Sequence, residues 1–497
     1  MKKKQKKITI ISLIAVLLIS ISIIVTISSF NKKTPLYDID ENKVNEAYEF
    51  LKTSRNETKK TYYDFKLENS NKNTIKNVSA KATMDKYNLE SDNYNYSSFN
   101  NNATLLGSIE YGQEIEYSVN IAHSGLYEIN VDYLIKGDNI LNAPIVSFKI
   151  NDNYQYEEAK NIVLPLIWEG TEGKEFPLDS YGDETIPLNY RDDTTWQRLE
   201  AYDSTYCQSS PLQFYFESGI NKITIAYQTG SSKIIFGDLF VNSITSYLSY
   251  KDYISLHANE ITVSGIEAYN AVYYNSKNSS YICLANEKSP TVEPFSTKKN
   301  YINTISVDSW DDAGQSITYK INASQTGLYN LAFHYQNDKN EYDSFRSIYI
   351  DGKIPFLECK DYAFPVTSSN SWKNETLNID GNNMYFYLTK GEHYVTLKAE
   401  NNNVYSLTSK IQAVIDHINY FALEILKVTG NEIDKDRTWH LTENIPNTVQ
   451  YLSSYDLILK SIMNEGSAYS TKGIDSATLS YVKKAIVMLK KIMKKPN

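Results

Sequence analysis

Cysteine, tryptophan and histidine are scarce here: three, five and six among 497 residues. Cys207, Cys283 and Cys359 are too few, and odd in number, for a disulfide framework. Cys359 follows Phe356-Leu357-Glu358 and reads as a small buried hydrophobe. No Cys-x-x-Cys, no spaced Cys/His cluster and no His-x-x-x-His pair points to zinc. Gly-x-Ser-x-Gly and phosphate-cradling glycine loops are missing too. A glycosidase pair of carboxylates is defined by separation in space, which spacing along a chain does not reveal. With no motif for any other chemistry, the expectation is a protein that is not an enzyme. Positive charge is also in deficit. The net charge is −9 with five lysines in the first seven residues, so the rest carries about −14. That excludes a general nucleic-acid binder.

Hydrophobic residues at 41% and charged residues at 22% suffice for real cores, which excludes wholesale disorder. The length allows about three domains at ~100–200 residues each. Tyrosine is abundant, 42 against 17 Phe. Sheet surfaces and a codon bias that also favours Asn, Lys and Ile account for it equally well.

One long apolar run stands out. Residues 8–30 carry no charge and follow Lys-Lys-Lys-Gln-Lys-Lys at 2–7. As a helix they would be roughly 34 Å long, enough for a ~30 Å hydrocarbon core. Lysines stay cytosolic. The expectation is a single-pass anchor in the cytoplasmic membrane, with residues 31–497 on the extracellular face. The alternative is secretion after signal cleavage, with Ile27 and Ser29 at −3 and −1.

The middle of the chain is written twice. Residues 112–127 read GQEIEYSVNIAHSGLY and residues 314–329 read GQSITYKINASQTGLY, with eight of sixteen positions identical. Ile115, Tyr117, Val119 and Ile121 alternate, as do Ile317, Tyr319, Ile321 and Ala323, which is the pattern of a half-buried strand. Ser124-Gly125 and Thr326-Gly327 make the turn before a second alternating strand. Phe148–Asp152 matches Ile348–Gly352, and Phe214–Gly219 matches Phe386–Gly391. Short strands joined by turns predict antiparallel β-sandwiches at 78–246 and 263–402, with a connector at 247–262. Residues 31–77 read as a weakly helical stalk. From Leu407 the period becomes helical: Ile411, Val414, Ile415, Ile418, Ala422, Ile425 and Leu426 form one stripe, and Gly430 ends it. Leu479, Val482, Ile486, Leu489 and Met493 form another, so 403–497 is an α-helical segment.

The repeats, YIDGKIPF at 349–356, FYLTKGEH at 386–393 and IEAYNAVYY at 266–274 resemble the front half of large Gram-positive extracellular solute-binding proteins of sugar ABC transporters. The resemblance covers about residues 75–495. It implies a mainly β protein: two tandem jelly-roll, galactose-binding-like sandwiches, then helices. It implies carbohydrate binding and ABC transporter components as partners. In that family solute-binding lobes follow the helical segment, and here they do not. The expected role is therefore a non-catalytic glycan-binding accessory of a sugar ABC system. The alternatives are a structural module whose C-terminal helices dock a separate solute-binding subunit, or a truncated or split solute-binding protein.

Sugar-binding sandwiches use Trp and Tyr faces against pyranose C–H groups, and Asp, Asn or Gln against hydroxyls. The insertion at 166–206 offers Trp168, Tyr181, Tyr190 and Trp196. The second copy offers Trp310 beside Asp311 and Asp312, and Trp372 in a Ser/Asn loop. The same tryptophans would also serve as plugs at the sandwich ends. Ile266-Glu267-Ala268 resembles the opening strand of calcium-bearing carbohydrate modules, which makes Glu267 a candidate Ca²⁺ ligand. Tyr269 stands where a second acid is usual. Asp238 falls where such modules place a late-strand acidic ligand. For both, a solvated or backbone-bonded carboxylate is the plain alternative. The sugar ligand expected is an oligo- or polysaccharide.

Overall fold

The computed structural model describes residues 36–55, 59–70, 78–100, 105–137, 140–206, 208–338, 341–430 and 437–496. The chain is mainly β with C-terminal helices. It divides into two compact units, Thr58–Ser406 and Met1–Glu57 with Leu407–Asn497.

The alternating segments form strands. In the first repeat, Glu114–Ile121, Gly219–Thr229, Ile145–Ile150 and Ile162–Val163 lie side by side in that order, with Thr83–Lys86 on the outer edge. Facing them is a seven-stranded sheet built on Gly125–Lys136 and Lys233–Ser243. Ile115, Tyr117 and Val119 of one sheet and Tyr127, Ile129 and Val131 of the other meet in a single core with Phe148, Phe214 and Phe216. Each such fully buried side chain contributes about 1.5–3 kcal/mol. The second repeat lays down Ser316–Ala323, Gly391–Ala399, Ser344–Ile350 and Tyr362–Phe364 in the same order. Even the turns agree. Asn151 and Asp152 have φ of 48° and 65°, and Asp351 and Gly352 have 51° and 74°. Two positive φ values in succession make the turn that suits a twisted hairpin.

The copies differ in their second sheets. In the second copy the facing strands are short pairs, Gly327–Tyr329 with Phe386–Leu388 and Ala332–Tyr335 with Lys373–Thr376. The insertion after Leu166 serves both copies. Gln197–Glu200 pairs with Gly125–Lys136 of the first copy, whereas Ile167–Glu169 pairs with Ser276–Lys277, and Arg191–Asp192 pairs on its other side. The latter two strands thereby extend the second copy's sheet to seven strands. An open strand edge invites such pairing. Gly170 sits so close to the Tyr274 and Asn275 carbonyls that a Cβ would come within 2.0 Å of one.

The helical unit joins distant segments. Helix Glu41–Ser54 is capped by Asp40, whose side chain accepts from the Asn42 N–H. It was expected to be part of a stalk. Instead Val44, Ala47 and Leu51 are buried with Val414, Phe421, Leu452, Tyr455 and Ile458. A 14-residue helix is marginal alone and is held by such packing. With Asn402–Thr429, Thr448–Tyr469 and Ala477–Lys494 it makes four long helices. His417 is fully buried among them, with Nδ1 2.6 Å from the Tyr455 hydroxyl and Nε2 2.7 Å from the Ser54 hydroxyl.

The membrane placement is corrected. Among the described residues no helix is long and apolar enough to cross a membrane. The 8–30 span on which that placement rested lies outside the described residues, as does Cys207.

Candidate functional site

The outward face of the first copy's seven-stranded sheet carries a built cluster. Along Gly125–Lys136, Tyr127, Ile129, Val131 and Tyr133 point into the core, so Glu128, Asn130 and Asp132 point away from it. Asp132 lies directly opposite Arg198 on the neighbouring strand. Next door, Lys233–Ser243 slips register between Phe236 and Leu239. Such a bulge re-aims side chains, and here it puts Gly237 and Asp238 under the short helix Tyr96–Phe99. A Cβ on Gly237 would come within 2.5 Å of the Tyr96 ring, so glycine is what lets that ring lie down.

Two carboxylates anchor the cluster. Asp132 accepts from Arg198 Nε at 2.7 Å and Nη2 at 3.0 Å, and from the Tyr96 hydroxyl at 2.9 Å. That hydroxyl in turn accepts the Asp238 N–H at 2.9 Å. Asp238 accepts from Asn100 at 2.7 Å and pairs with Lys81 at 2.7 Å. The bidentate bond raises the Arg198 pKa and burial raises that of Tyr96, so the first stays cationic and the second neutral. The Trp196 ring backs Tyr96 at 4.4 Å, its Nε1 donating to the Tyr94 carbonyl at 2.9 Å.

Above the anchors lies an open surface. The Arg198 side chain is 47% exposed although its partner Asp132 is fully buried. Its guanidinium sits 4.9 Å from the Phe240 ring centre and 5.9 Å from that of Phe99. A guanidinium beside two rings puts apolar faces and N–H donors on one surface.

Of the residues singled out from sequence, Trp196 and Asp238 come together here, as support beneath the surface. Trp168 is core, 4% exposed, with no hydrogen-bond partner on Nε1. Tyr181 and Tyr190 are exposed on the insertion, and Tyr190 only lends its carbonyl to the Glu169 N–H. Trp310 is half-buried; it packs under Arg346 at 4.7 Å and donates to the Gln315 carbonyl. Asp311 and Asp312 beside it are exposed. Trp372 stacks on His334 at 5.2 Å in a separate aromatic pair. Phe99, Asp132, Arg198 and Phe240 were missed. Asp132 left no distinguishing signal, because it takes an ordinary polar place in the alternation, as Glu128 and Asn130 do.

The residues do not fit calcium. Glu267 is exposed and accepts from the Tyr269 hydroxyl at 3.0 Å. Asp238 already holds the Lys81 ammonium. Among the described residues no group of three or more His, Cys, Asp or Glu is placed to hold a metal.

Comparison with known proteins adds three findings. Residues 406–497 match the family model described as bacterial solute-binding protein, 4-helix bundle domain. A cycloisomaltooligosaccharide glucanotransferase of Niallia circulans is 29% identical over 163 residues, 32% of this chain and 15% of that enzyme. The chain thus matches a small part of that relative's length. Among solved structures, a family 35 carbohydrate binding module from an environmental isolate matches at 15% identity, over 35% of this chain and 94% of its own, with a TM-score of 0.19. A superposition that weak does not bear on function.

Proposed function

We propose that this protein is a non-catalytic carbohydrate-binding accessory of a bacterial sugar-uptake system. The carrying observation is the Phe99–Arg198–Phe240 surface, with Arg198 fixed from beneath by a buried carboxylate. Rings take the apolar face of a sugar, and the guanidinium donates to its hydroxyls. The solute-binding bundle match at 406–497 supports the link to uptake. The relative named for cycloisomaltooligosaccharides suggests α-glucans of that type as the first probe. A match to 15% of that enzyme suits a shared binding module better than shared chemistry.

Affinity electrophoresis of the purified chain in gels cast with a panel of polysaccharides, dextran included, tests this. Retention is expected in at least one gel. It should be the same with EDTA as with added calcium, because among the described residues neither Glu267 nor Asp238 belongs to a group placed to hold a metal. Migration unaffected by every polysaccharide contradicts the reading.

A second reading draws on the helical unit. Tyr481, Val487, Met488 and Ile492 are exposed along Ala477–Lys494. An apolar row of that kind suits docking of a separate solute-binding subunit. Co-purification with such a subunit is its expected result, and a monodisperse chain indifferent to that subunit argues against it.

A further inference from the structure

A second polar cleft exists because the two copies share a sheet. Residues directly opposite on neighbouring strands share a face. The pairings Asp192 with Ile167, Glu169 with Ser276, Ser276 with Thr318 and Thr318 with Thr396 therefore set one row of side chains on one face. Trp168, Lys277, Ile317 and Leu397 take the other face and are buried. On the first face opens a cleft of about 450 Å³, lined among others by Glu169, Glu172, Lys174, Asp192, Asn275 and Ser276. That volume lies within the ~300–1,000 Å³ usual for small-molecule sites.

The lining is ordered by its own contacts. Glu169 pairs with Lys174 at 3.1 Å, and Glu172 pairs with Lys320 at 2.9 Å. Asp192 accepts from the Thr194 N–H at 2.8 Å and the Thr195 hydroxyl at 2.5 Å. Burial opposes its ionisation, but these hydrogen bonds outweigh it and keep the carboxyl below its ordinary range. Three fixed carboxylates beside two ammonium groups disfavour an anionic ligand. Carboxylate, amide and hydroxyl groups without an aromatic plane suit a compact ligand rich in hydroxyls.

We propose that this cleft is a second saccharide-binding site, taking one or two neutral sugar residues by hydrogen bonding, and that it is assembled only when the insertion of the first copy pairs with the sheet of the second. The site does not depend on the Phe99–Arg198–Phe240 surface and stands or falls separately.

Hydrogen exchange of the whole chain, read with and without each of a panel of neutral oligosaccharides beginning with isomaltotriose, separates the two. The expected result is slowed exchange at 167–172 and 275–277. In Glu169→Ala/Asn275→Ala that slowing should disappear, and the affinity of this site should fall at least tenfold. Its melting temperature should stay near that of the unaltered protein. Arg198→Ala should leave the slowing at 167–172 intact. Slowing confined to 96–100 and 238–242 overturns the cleft while sparing the first surface. No slowing at 167–172 and 275–277 with any sugar overturns it as well. So does a doubly substituted protein, melting normally, that keeps the slowing there.

Discussion

Glu128→Gln should stabilise the β unit at pH 8 by about 4 kcal/mol and change little at pH 4. Glu128 is 4% exposed on the outward face of the first copy. Burial first, and then the nearby Glu200, push its carboxyl up to about 7 against the opposing Thr245 hydrogen bonds. In the unfolded chain the same group titrates near ~4.3. Between those values the folded protein holds a proton that the unfolded chain has lost. Stability therefore falls as pH rises from about 4.3 to about 7, and stays reduced above. At ~1.36 kcal/mol per unit the loss is about 4 kcal/mol. Glutamine keeps an oxygen for Thr245 and has no proton to lose. Glu400, fully buried in the second copy, is likewise pushed up to about 7 by burial. Its Lys398 partner lies 3.5 Å away and 3.7 Å from the Tyr202 ring centre. Glu400→Gln would also remove that ammonium's counter-charge, so the Glu128 substitution is the cleaner one. Urea titrations at pH 4 and pH 8 of both proteins measure the difference. Equal stabilities at pH 8 would refute a neutral buried Glu128.

The helical unit should respond to pH in the opposite sense. His417 is pushed down to about 4, by burial first and then by Arg55. Unfolded, it titrates near ~6.5. Its contribution is fully present above that value and is lost as pH falls through it towards about 4. The loss is about 3 kcal/mol, a large share of the ~5–15 kcal/mol that holds a domain together. Acid should therefore melt the helices first, seen as a fall in helical circular dichroism while the tyrosine signal of the β unit persists. His417→Asn should be weaker than the parent at pH 7 and nearly indifferent to pH between 4 and 6.5. A parent protein whose helices lose nothing across that range contradicts the buried neutral imidazole.

Sequence and structure agree where physics is local. Alternation and turn glycines placed the strands of both copies, because a pleated ribbon and a positive φ leave marks within a few residues. The stripe from Leu407 did the same for a long helix. What sequence could not show was set by partners far along the chain. Val44, Ala47 and Leu51 have helical spacing, but their packing partners begin at Val414. Trp168 resembled a sugar-stacking residue because tryptophan in a loop-rich insertion looks exposed; it is packed in the first copy's core while its strand pairs with the sheet of the second copy. Asp132 and Arg198 lie 66 positions apart and meet only through strand register. Trp196 was singled out for stacking on sugar and Asp238 as a calcium ligand, and the structure gives both supporting places beneath the Arg198 surface.

Sugar binding is assigned to the face above that support, and Arg198→Ala removes the middle of it. Calorimetric titration with whichever glycan retains the protein should show at least a tenfold loss of affinity. That is about 1.4 kcal/mol, the order of one charge-assisted hydrogen bond with its stacking. The melting temperature should fall, because the fully buried Asp132 loses its bidentate partner; a titration carried out well below the new transition reads binding apart from that loss. Unchanged affinity in the folded Arg198→Ala protein would show that this face does not hold the sugar.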